Sequence, residues 1–134
     1  MATLKPFKAL RYNKERVGKI DNILCPPYDI IPNEKLASYM EKSEFNIIHL
    51  ERPIGDNPYE KAAQTLKYFL DEKALVHESE NSMYIYEEEF EIDGEVKSFK
   101  GLISGVKLEE FSKKIVLPHE ETLSKAKEDR LNLM

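Results

Sequence analysis

The residues best suited to chemistry lie towards the end of the chain, in Pro118-His119-Glu120-Glu121-Thr122, followed by Lys127, Asp129 and Arg130. A proline ahead of a polar, helix-forming run predicts a helix start. Free backbone N–H groups and the positive end of the helix dipole there suit an anion such as phosphate. Glu120 is then a candidate general base on a hydroxyl, while Thr122, Lys127 and Arg130 are candidates to hold negative oxygens. An exposed helix with an acidic first turn and basic residues later fits the same pattern, because the dipole favours that order of charge. The residues alone leave both readings open.

A second constellation is Cys25-Pro26-Pro27-Tyr28-Asp29-Ile30-Ile31-Pro32. Three prolines in eight residues exclude a helix interior or a central strand, so the segment reads as a stiff loop. Such a loop either connects two elements, with Asp29 capping a turn, or keeps Tyr28 and Asp29 aimed at a ligand. Cys25 beside it reads as a small apolar residue rather than a nucleophile. His49 ends the apolar run Phe45 to Leu50, where it is a hydrogen-bonded core histidine or a ligand contact. The familiar phosphate, dinucleotide, kinase, hydrolase-elbow and zinc signatures are absent. Three widely spread histidines and one cysteine argue against a metal site.

These residues need elements to hold them. Pro6 to Tyr12 is predicted as a first strand, and Lys14 to Lys19 as a short helical turn. Asn33 is expected to cap a helix through Lys42, with Leu36, Ala37 and Met40 on one face. Phe45 to Leu50 is expected as a buried strand. Asn57-Pro58-Tyr59-Glu60 has the residues of a capped helix start, with proline first and glutamate three after the cap. Tyr59, Ala62, Ala63, Leu66, Phe69 and Leu70 continue as one apolar stripe. Met83 to Ile92, Asp93-Gly94 and Val96 to Val106 spell a β-hairpin, with Glu87 to Glu91 as its solvated face. Gly101 and Gly105 leave bare backbone in the return strand. His119 to Met134 is helical in composition. The apolar Leu131, Leu133 and Met134 predict a chain that ends inside an element, and hence the N-terminal part of a longer protein.

Composition narrows the class. The 134 residues are 41% hydrophobic and suffice for one domain, taken here as 1–134. The formal charge of -5, with Glu87, Glu88, Glu89 and Glu91 in one stretch, disfavours nucleic acid, whose binders usually present a basic stripe. A single cysteine rules out an internal disulfide and, with no apolar leader, predicts a cytoplasmic protein. No apolar run approaches the ~20 residues a membrane span needs.

Taken in order, Cys25-Pro26-Pro27-Tyr28-Asp29-Ile30-Ile31, Asn46-Ile47-Ile48-His49-Leu50, Tyr84-Ile85-Tyr86, Asp93-Gly94, Gly101-Leu102-Ile103, Leu117-Pro118-His119-Glu120-Glu121-Thr122 and Lys127-Glu128-Asp129-Arg130-Leu131 form one pattern. It resembles the N-terminal third of a large bacterial and archaeal family, domain of unknown function family one-thousand-and-fifteen. That family is similar to the ParB/sulfiredoxin superfamily, which includes free-serine kinases. The resemblance implies an α+β fold, a mixed or antiparallel sheet flanked by helices. It further implies a nucleotide-dependent kinase acting on free serine or a similar small hydroxyl substrate, with ATP or ADP and magnesium as cofactors. Glu120 becomes the base on the substrate hydroxyl and His119 its pocket neighbour, while Asp29 is a second catalytic candidate. Tyr28, His49, Thr122, Lys127 and Arg130 are candidates for substrate or phosphate. In the kinases a later Asp-Gly-His-His-Arg segment holds the nucleotide phosphates. No such segment occurs in these 134 residues, so the chain by itself is expected to be inactive. Two other readings stand beside this one: a ParB-like regulatory or DNA-associated module, and a non-catalytic interaction domain.

Overall fold

The computed structural model describes residues 1–118 and 124–133, the side chains of residues 125 and 126 excepted. In chain order the elements are β1 (Leu4–Lys5), β2 (Leu10–Tyr12), α1 (Lys14–Val17), α2 (Ile20–Ile23), a 3₁₀ turn (Tyr28–Ile30), α3 (Asn33–Met40), α4 (Ile48–Glu51) and α5 (Pro58–Asp71). They continue with β3 (Leu75–His77), β4 (Tyr84–Ile92), β5 (Glu95–Ile103), β6 (Gly105–Val106), a 3₁₀ turn (Phe111–Lys113) and α6 (Ser124–Leu133). The fold is α+β, and its strands form three two-stranded pairs: β1–β6, β2–β3 and β4–β5. The chain divides into two compact units, residues 1–9 with 77–121 and residues 10–76 with 122–134.

The second unit owns the core. Val17, Ile23, Phe45, Phe69, Ala74 and Leu75 form one buried cluster, with Tyr12, Leu50 and Leu70 packed on it. Phe69 is fully buried on α5, with Phe45 edge-on to it at 5.5 Å. Burying such a ring contributes about 2–3 kcal/mol. The α5 start is as expected in position, with Asn57 at the cap and Pro58 in the first turn. Asn57 does not close on the backbone, however; its Nδ2 donates to Glu60 Oε2 at 3.4 Å. Of the predicted stripe, Ala62 and Phe69 are buried, whereas Leu66 stays 38% exposed.

Phe45 to Leu50 corrects the expected strand. It turns into the single helical turn α4, with Leu50 N–H donating to Ile47 O at 2.9 Å and Arg52 N–H to Ile48 O at 2.9 Å. The cause is Asn46. This fully buried side chain donates to Asn22 O at 2.8 Å and Leu24 O at 3.2 Å, and its Oδ1 accepts from Ile48 N–H at 3.0 Å. An Asn bonded to the backbone two residues on starts a turn rather than a strand. The expected cap of α3 is also revised, since Pro32 holds the cap position and Asn33 lies inside the helix. Asn13, by contrast, caps α1, accepting from Glu15 N–H at 3.2 Å.

The first unit is built around the hairpin. β4 and β5 pair antiparallel from Tyr84↔Ile103 to Ile92↔Glu95. The Asp93-Gly94 turn has φ of 54° and 78°, both positive as a two-residue hairpin turn requires. Glu87 faces Lys100 across the strands, with an ion pair at 3.1 Å on the solvated face. Of the expected first strand, Pro6 to Tyr12, only Leu10–Tyr12 forms a strand, and Phe7 makes an isolated bridge to Ser82. The return strand also breaks, and β6 pairs antiparallel with β1. A Cβ on Gly105 would stand 3.3 Å from Lys5 O, so bare backbone serves the close approach of these two strands.

Candidate functional site

Tyr28 reaches the site through its rigid loop. Ile30 N–H donates to Pro27 O at 3.1 Å, closing the 3₁₀ turn on which Tyr28 and Asp29 sit. The loop is held at both ends by the segment 45–52. At its start Asn46 takes the carbonyls of Asn22 and Leu24, and Ile47 N–H donates to Ile23 O at 2.8 Å. At its end Arg52 Nη1 donates to Ile31 O at 2.6 Å and, at 3.5 Å, to Tyr28 O. Arg52 Nη2 donates to Asn33 Oδ1. Proline rigidity and these bonds fix the Tyr28 ring from both sides.

Against that ring lies Arg130, its guanidinium carbon 3.9 Å from the ring centroid. A cation over an aromatic face is attracted by the ring quadrupole. Arg130 Nη2 also lies 3.6 Å from Glu51 Oε2. One turn of α6 carries Asp129, Arg130 and, at the next helical spacing, Leu133 towards the same recess. Tyr59, from the first turn of α5, donates its hydroxyl to Asp129 Oδ1 at 3.0 Å. That bond to a carboxylate is the main reason the Tyr59 hydroxyl titrates above its usual range. Together Tyr28, Glu51, Arg52, Tyr59, Asp129 and Leu133 line a cavity of about 170 Å³. Glu51 and Leu133 also line a neighbouring apolar groove with Ile47, Leu50, Ala63 and Leu66.

The structure therefore brings Tyr28 and Arg130 together across 102 residues of sequence. Asp29 is exposed at the turn and makes no hydrogen bond or ion pair among the described residues. His49 does not line the recess; its Nε2 faces Met40 O at 3.3 Å and Ser43 O at 3.2 Å. Lys127 is exposed on α6 and does not line it either. His119, Glu120 and Thr122 lie outside the described residues. Cys25 is a half-buried free thiol. Its pKa is raised, first by burial and then by the Glu51 carboxylate, which disfavours the nucleophilic thiolate.

Sequence reasoning missed Glu51, Arg52 and Tyr59, and placed Asp129 in the late constellation without giving it a role. A charged Glu-Arg pair placed directly after the apolar run 45–50 was the available signal, since charges that close to a core segment are usually partnered or functional. Among the described residues no group of three or more His, Cys, Asp or Glu could hold a metal ion. No described helix is long and apolar enough to cross a membrane.

An α+β chain with a small charged recess between a proline-stiffened loop and a late helix is the class that fold and site define. Residues 4–134 match the family described as Protein of unknown function (DUF1015), and the chain belongs to that family. No curated protein and no solved structure matches it.

Proposed function

We propose that this chain forms the acceptor side of a nucleotide-dependent kinase acting on free serine or a similar small hydroxylated molecule. The observation that carries the reading is the contact of Tyr28, from the Pro-Pro-Tyr-Asp loop and the recess wall, with Arg130, from the segment after Pro-His-Glu. These are the two segments on which the resemblance to the family rests, and the second of them carries the likeness to the free-serine kinases. The recess wall offers both signs of charge, in Glu51 and Asp129 against Arg52, which suits a small zwitterion. In this reading Glu120 takes the hydroxyl proton as general base, and His119 and Thr122 flank it. ATP or ADP with magnesium is the phosphoryl donor. In this reading the donor side is supplied by residues other than those lining this recess. The ParB/sulfiredoxin-like relationship and a cytoplasmic location are part of the same reading, supported by the Pro-His-Glu segment and the lone cysteine.

The test has two arms. Calorimetric titration of this chain with L-serine is expected to give saturable binding that Tyr28→Ala weakens at least tenfold. A chain that also carries the Asp-Gly-His-His-Arg segment, given ATP or ADP, magnesium and serine, is expected to form O-phosphoserine, and Glu120→Ala to abolish it. Absence of both serine binding and product sinks the proposal. A second reading, a non-catalytic interaction domain, is favoured by the hairpin, where Phe99 is 58% and Val96 74% exposed.

A further inference from the structure

Arg52 carries a charge that the recess does not answer. Its three hydrogen-bond acceptors, Ile31 O, Tyr28 O and Asn33 Oδ1, are all neutral. It makes no ion pair among the described residues. The carboxylates nearby face other groups, Glu51 towards Arg130 at 3.6 Å and Asp129 towards the Tyr59 hydroxyl at 3.0 Å. Of the two guanidiniums close to Tyr28, Arg130 therefore has a counter-charge and an aromatic cover, and Arg52, the one on the recess wall, has neither. A guanidinium has five N–H donors, and the loop uses Nη1 and one position of Nη2. No acceptor meets Nε–H among the described residues and one Nη2–H remains; the Nε–Nη2 edge of a guanidinium is one that matches two oxygens of one anion.

Arg52 is also preorganised. Its side chain is half-buried and tied to a loop stiffened by Pro26, Pro27 and Pro32, so little rotamer entropy is left to lose on binding. A half-buried cation with no counter-ion is electrostatically unfavourable, and an arriving anion relieves that cost. The cavity of about 170 Å³ far exceeds the ~10–15 Å³ that a single water requires. We propose that Arg52 is the anion-binding residue of the recess, taking the carboxylate or phosphate group of a small-molecule ligand through its Nε–H and Nη2–H. Arg130 and Lys127 then have other roles: Arg130 covers the Tyr28 ring, and Lys127 stays outside the recess. The inference takes the recess as the ligand site, as the kinase reading does, and needs no phosphoryl transfer.

The test is a titration of the full ¹⁵N-labelled chain followed through its arginine Nε–H resonances. Inorganic phosphate and acetate are added separately at constant ionic strength, which distinguishes a phosphate site from a carboxylate site. The Arg52 Nε–H resonance is expected to move saturably with one of the two anions and that of Arg130 to move far less. In Arg52→Gln the backbone amide of Tyr28 is expected to show no saturable response to either anion, whereas the unaltered chain shows one. Asn33→Ala, which loosens the same tether without removing charge, is expected to preserve that response. Glu51→Gln is expected to tighten binding by roughly 3- to 10-fold, because it removes a repelling carboxylate beside a half-buried site. An Arg52 resonance that ignores both anions, or drifts without saturating, overturns the inference, as does a response confined to Arg130. A saturating titration in a protein that forms no O-phosphoserine leaves the inference standing and removes the kinase reading. Product formation with a silent Arg52 does the reverse.

Discussion

Asn46 explains more of this structure than any apolar residue. It is fully buried, yet every polar atom of its side chain is bonded, two of its partners being the carbonyls of Asn22 and Leu24 that lead into the loop presenting Tyr28. Asn46→Ala strands two carbonyls and one N–H, so a loss of about 2–4 kcal/mol is expected in urea unfolding, together with a weaker near-ultraviolet tyrosine signal. Tyr12 makes a second residue-scale prediction. Burial first, and the Cys25 thiolate second, push its hydroxyl up to about 12. The neutral ring donates to Phe45 O at 2.8 Å. The folded pKa lies above the unfolded value near 10, so this contribution is complete below that value and is lost as pH rises towards about 12. Allowing for solvent screening of a half-exposed ring, unfolding midpoints between pH ~9 and ~11.5 should report about 1–2 kcal/mol lost. Tyr12→Phe should flatten that slope. Neither residue's role was legible beforehand, because a buried Asn or Tyr is recognised by its partners, and those are remote in sequence.

Elements with local causes were read correctly. The α1 turn, the long helix α5 and the β4–β5 hairpin depend on caps, a first-turn proline and a two-residue turn, all contained within a few neighbouring residues. The hairpin turn gives the clearest test: Gly94 has φ of 78°, which an L side chain adopts at a cost of roughly 1–2 kcal/mol. Gly94→Ala is expected to speed amide exchange along β4 and β5 while leaving α5 unchanged. Segment 45–50 was misread because its apolar run fits a buried strand and a buried turn equally well. The break between β5 and β6 was likewise hidden, since only the approach of Lys5 to Gly105 decides it.

At the scale of the whole molecule, the two units differ in kind. Every buried apolar side chain among the described residues falls between Val17 and Leu75, whereas the hairpin leaves Ile85 78% and Val96 74% exposed. A two-stranded ribbon without a covered face is marginal on its own. Amide hydrogen exchange is therefore expected to be fastest in β4 and β5 and slowest in α5 and residues 45–50, by on the order of 10²-fold or more. Equal protection in both units would contradict this account of where stability resides.

The amino-acid sequence alone determined the α+β class, the stiffness of the Tyr28 loop, the hairpin register at Asp93-Gly94 and the acidic balance. Each follows from chain-local geometry or from composition. It also marked Tyr28 and Arg130 as candidates. Only the tertiary structure decided that these two meet, that Glu51 stands beside Arg130, and that Arg52 faces neutral acceptors alone. Those facts depend on which distant groups share one recess, and no local propensity encodes a distance across 102 residues.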